Sequence, residues 1–150
     1  MKTKDKEDKT MELESTAEAL RAGETKLLQG SFQTAVEQAE SSIKIAAEAS
    51  YQLGKIAEDD INFQEAFEHY KKAVQLRPKN SRYLNKAGDL AKNLGKPQQA
   101  VEYLSLALES DLKNYGEDHP HVAIIRRGLG LAKKALAECK EKEWEVSWLD

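Results

Sequence analysis

The chain has a single cysteine, Cys139, so no intrachain disulfide can form. Aromatic residues make up only 7% of it, and it has only three prolines and eight glycines. No segment alternates apolar and polar residues for long enough to build a strand. Nor does any apolar run approach the length of about 18 residues that a membrane span needs. Basic residues are not in excess: the net charge is −3 with both signs interspersed, so no nucleic-acid partner is expected. The opening stretch MKTKDKEDKTMELES has no apolar run after its lysines, which excludes a secretory signal and leads us to expect a cytoplasmic protein.

Charged residues make up 33% of the chain, with alanine, leucine, glutamate and lysine prominent. These are strong helix formers, and the fold class they predict is all-α. Residues 1–11 carry alternating charge with almost nothing to bury and read as a disordered tail. From residue 12 onward, apolar and small residues recur at helical spacing. Turn signals interrupt them at LLQGSF, DDINF, PKNS and NLGKPQQA, which predicts helices near 12–29, 31–46, 48–60, 63–77, 81–94, 97–113 and 120–137, the last extending toward 148.

A repeat emerges when the chain is laid on itself. Gly54 and Gly88 are 34 residues apart, as are Ala66 and Ala100, Tyr70 and Leu104, and Ala73 and Ala107. Small residues at these positions let helices approach closely, and Pro78 ends a helix it cannot continue. A weaker unit precedes them: Gly23, Gly30, Phe32, Ala35, Ala39 and Ser42 fall in the same order, but the spacing to the next unit is 31 and there is no closing proline.

The pattern Leu53-Gly54, Ala66-x-x-x-Tyr70-x-x-Ala73, Pro78, then Ala87-Gly88, Ala100-x-x-x-Leu104-x-x-Ala107, resembles the tetratricopeptide repeat family. The resemblance implies a right-handed α-α superhelix of about three helix pairs plus a C-terminal capping helix. Its domain would span 12–150, with units near 13–46, 47–80, 81–122 and an incomplete, capping 123–150. The last interval, Gly88 to Gly130, is 42 residues, and Gly116, His119, Pro120, Val122 and Ala123 resemble the longer repeat of kinesin light chains. Gly130 then reads as the close-packing residue of the last unit.

Several residues invite chemistry and are better explained by structure. His119 and His121 lie two apart at a helix start and point in different directions. Pro120 fits the first helical turn there, with Asp118 or His119 as cap. Gly128 and Gly130 lack the third glycine and the preceding strand of a dinucleotide site. Cys139 has no histidine near it in sequence. No catalytic residue, metal site or cofactor is expected, and the chain reads as a non-enzyme.

What remains is a binding surface. Carried over from the family, the concave side would present Tyr51, Gln52 and Lys55, then Arg82, Asn85, Lys86 and Asp89, then Arg127, Leu131 and Lys134. Lys55, Arg82, Lys86 and Arg127 give it a basic bias suited to a peptide or protein ligand, acidic ones included. The plain alternative is that these are solubilising charges. Some family members clamp the terminal carboxylate of heat-shock chaperones. Arg82 and Lys86 match part of that clamp, but Leu20, Glu24 and Gln52 stand at its other positions, so no such receptor is expected.

Trp144 and Trp148, one helical turn apart, and Leu149 form a stripe that should bury against something. The solenoid's last open face is the preferred cover, and burial in a partner or in a homo-oligomer through the C-terminal helix is the rival. The function expected is a protein-interaction scaffold or adaptor. A self-associating structural module and a small cytoplasmic secretion-type chaperone are the alternatives.

Overall fold

The computed structural model describes residues 4–147, and every described element is a helix. The helices are α1 (Lys4–Asp59), α2 (Phe63–Leu76), α3 (Ser81–Asn93), α4 (Pro97–Tyr115) and α5 (Pro120–Ser147). They group into two units, Met1–Ser42 and Ile43–Asp150. Trp148 and Leu149 lie outside the described residues.

The first unit is helical wherever it is described, including residues 4–10 that composition marks as a disordered tail. The break expected at Gly30 is absent. Ser31 donates its hydroxyl to the Leu27 carbonyl (3.0 Å) instead of capping a new helix, and Thr34 bonds back to Gly30 in the same way (3.0 Å). A lone glycine in an exposed helix costs only about 1 kcal/mol and does not force a turn. Every described side chain here is exposed except Ala17, which is half-buried.

The second unit holds the core. Asn62 caps α2 by accepting from the Glu65 amide, and Asn80 caps α3 by accepting from the Tyr83 amide (3.2 Å). Pro97 and Pro120 stand in the first turns of α4 and α5, as the spacing predicts. The turn before α4 needs positive φ, and Gly95 supplies it at 70°. The matching position before α2 is Ile61, forced into the same region at 62°.

Small residues let these helices close on one another. A Cβ built on Gly54 would lie 2.5 Å from the Tyr70 ring, and one on Gly88 would lie 2.6 Å from the Leu104 side chain. The 34-residue match of Gly54 with Gly88 and of Tyr70 with Leu104 is therefore one packing contact made twice. Tyr51 stacks obliquely against Tyr70 (5.5 Å) and Tyr83 (5.1 Å), and Phe67 meets Tyr103 edge-on (6.4 Å). The Tyr70 ring, fully buried and tethered through its hydroxyl, has no room to yield. Gly54→Ala is expected to cost about 1–3 kcal/mol of unfolding free energy in a urea titration, with helicity retained.

Gly130 does not play the close-packing role expected of it. Its surroundings are open, whereas Gly128 faces Asp89 and Leu104, at 3.6 and 3.7 Å from where its Cβ would stand. The longer connection before α5 moves the contact point one pair of residues earlier than the sequence register implies.

Candidate functional site

The last turns of α1, together with α3 and α5, carry the ten residues expected on a binding face. Two cross-helix groups tie α1 to α3. Glu48 takes an ion pair from Arg82, a hydrogen bond from the Tyr83 hydroxyl (2.7 Å) and another from the Gln52 amide (2.7 Å). Ten residues along, Glu58 accepts from the Tyr70 hydroxyl (2.6 Å) and from Lys86 (3.0 Å). The Arg82 guanidinium lies over the Tyr51 ring at 4.5 Å. Between α3 and α5, Asp89 approaches Gly128 and also pairs with Lys92 (3.5 Å).

Tyr51, expected to line the surface, is buried at 6% exposure and forms part of its floor. Gln52, Lys55, Arg82, Arg127, Leu131 and Lys134 are exposed, while Asn85, Lys86 and Asp89 are half-buried. The basic bias is smaller than composition suggests, because Glu48 and Glu58 neutralise Arg82 and Lys86. Sequence reasoning overlooked both carboxylates. One signal was there: Glu48 and Arg82 stand 34 residues apart, opposite charges at the same position of consecutive repeats.

The electrostatics follow from these bonds. Hydrogen bonds from Tyr83 and Gln52, with Arg82 beside them, hold the Glu48 carboxyl below its ordinary 4.5. Partial burial pushes Glu58 up, but Tyr70 and Lys86 outweigh it and Glu58 also lies below 4.5. Burial first, and then the facing carboxylates, raise the phenols of Tyr70 and Tyr83. Acids depressed by folding stabilise above their unfolded pKa, and that contribution is lost as pH falls through the folded value. Stability should therefore hold from neutral pH down to about 5 and decline below about 4.5. Glu58→Gln should flatten that decline, which urea midpoints measured from pH 7 to 3 will check.

The histidines behave structurally. His119 stacks on Tyr115 at 4.5 Å, and its Nδ1 accepts from the His121 amide (3.3 Å), capping α5. Among the described residues no group of three or more His, Cys, Asp or Glu side chains is placed to hold a metal ion, and no helix is long and apolar enough to cross a membrane. Trp144 is 67% exposed instead of packed against the solenoid, because no described helix follows α5 to cover its last turns.

Helices α2–α5 pack in succession, each against the next, and α3 also meets α5, an arrangement that defines an all-α helical repeat. The tetratricopeptide repeat family model matches residues 47–80 and 81–114, so the chain carries two such repeats there. Among solved structures, the chain is similar to the N-terminal domain of stress-induced protein-1 (STI-1) from C. elegans. The two are 24% identical with a TM-score of 0.49, over 64% of this chain and 83% of that one. No curated protein matches the sequence. Two such repeats support a protein–protein interaction module in general terms.

Proposed function

We propose that the chain binds a peptide or an extended segment of a partner protein along the row formed by the last turns of α1, α3 and α5. Gln52 and Lys55, Asn85 and Asp89, and Arg127, Leu131 and Lys134 supply the contacts. The observation that carries this reading is the division of labour among the polar residues. Glu48, Glu58, Arg82 and Lys86 brace α1 against α3, whereas Lys55, Arg127 and Lys134 stand exposed and form no ion pair among the described residues. Fixed helices presenting unspent donors suit a ligand that brings carbonyls and carboxylates. The connection at 115–120 is read as a lengthened repeat of the kinesin-light-chain type, with α5 as the last first-helix of the array.

The bracing pairs make poor test sites, since Arg82→Glu would set two carboxylates together. The exposed residues are better. Peptides selected from a displayed random library on the wild-type protein should lose at least about tenfold in affinity, about 1.4 kcal/mol, on Lys55→Glu/Arg127→Glu. Lys72→Glu on α2 should leave binding unchanged. Equal affinity for all three proteins would sink the assignment.

A further inference from the structure

Residues 32–45, FQTAVEQAESSIKI, repeat the pattern of α2, FQEAFEHYKKAVQL, at a spacing of 31. Phe, Gln, Ala and Glu recur at Phe32/Phe63, Gln33/Gln64, Ala35/Ala66 and Glu37/Glu68. Val36, Ile43 and Ile45 stand where Phe67, Val74 and Leu76 stand. In α2 the core positions Ala66, Phe67, Tyr70, Ala73 and Val74 are buried. Their counterparts Ala35, Val36, Ala39, Ser42 and Ile43 are all exposed. A second helix of a repeat is thus written into α1, with its core positions exposed.

The surface it should cover is also bare. On α3, which packs against α2, Ala87 and Leu90 are buried at 0% and 4% exposure. One repeat earlier their counterparts are Leu53 and Ile56, exposed at 49% and 57%. The reason is a deletion. Residues 77–80, with Pro78, reverse the chain between α2 and α3, and a spacing of 31 where the repeat is 34 leaves no room for that turn between Ile45 and Ala47. The helical assignment continues unbroken through this point. Without the turn, the complementary surface must come from another molecule.

We propose that two copies of this chain pair through α1, with residues 32–45 of each covering Leu53 and Ile56 of the other. α2 and α3 are antiparallel neighbours across their short turn, so restoring that packing between chains sets the two α1 helices antiparallel. The turn is missing at Ala46, which places the two-fold axis close to that residue. The interface is isologous, and each chain donates the segment it cannot use itself.

Light scattering and single-cysteine cross-linking test this on the full chain. The wild-type protein should be a dimer at high micromolar concentration, and Val36→Glu/Ile43→Glu should be a monomer that keeps the cooperative urea transition of the second unit. In a Cys139→Ser background, Ala46→Cys should oxidise to a covalent dimer because the two thiols meet at the axis. Ala19→Cys, remote from the axis, should not. A wild-type monomer at that concentration would overturn the proposal. So would a dimer that survives Val36→Glu/Ile43→Glu, or one in which Ala46→Cys fails to cross-link.

Discussion

Leu104→Ala should cost about 2–5 kcal/mol of unfolding free energy in the second unit. Leu104 is fully buried, fills the notch left by Gly88 on α3, and reaches toward Gly128 on α5. Truncating it opens a space that three helices share, and none of them can collapse into it without leaving the others. Gly88→Ala alone should cost about 1–3 kcal/mol by overpacking the same notch. Together the two changes should cost less than their sum, by about 0.5–3 kcal/mol, because the new methyl occupies the vacated space. Urea titrations of the wild type, both singles and the double variant close this cycle. Strict additivity would show that the notch does not hold these helices together.

The second prediction runs the other way. Asp111 on α4 is fully buried, and among the described residues neither of its carboxylate oxygens has a hydrogen-bond partner. It also lies four residues from the end of α4 at Tyr115, where the helix dipole disfavours a negative charge. A buried polar group without a partner costs about 1–3 kcal/mol in protein contexts, and a charged one more. Leucine branches at the same carbon and has nearly the same shape, so Asp111→Leu should stabilise the second unit by at least about 1 kcal/mol. The urea midpoint should rise with no change in slope. A destabilised variant would mean that the carboxylate is held by a partner.

The repeat was legible because packing wrote it twice. Gly54 with Tyr70 and Gly88 with Leu104 obey one steric rule at one spacing, and composition alone could not hide that. Capping was equally local: Asn62, Asn80, Pro97 and Pro120 start their helices for reasons confined to the next few residues. Long-range partners were another matter. Glu58 and Lys86 are 28 residues apart, and nothing in either neighbourhood announces the other, so the surface looked more basic than it is. Tyr51 was assigned to the surface because its position in the repeat faces inward. Two other tyrosines, brought in by α2 and α3, bury it. Gly30 misled for the opposite reason. It carries a turn signal, but a turn also needs something for the reversed helix to pack on, and a glycine in a solvated helix is cheap to keep helical.

The central claim is that the row formed by the last turns of α1, α3 and α5 receives the ligand. Chemical-shift mapping by NMR with a selected peptide tests it most directly. The account predicts perturbations at Gln52, Lys55, Asn85, Asp89, Arg127 and Leu131, with α2 and α4 outer positions such as Lys72 and Glu102 unmoved. Perturbations confined to α2 and α4 would contradict it.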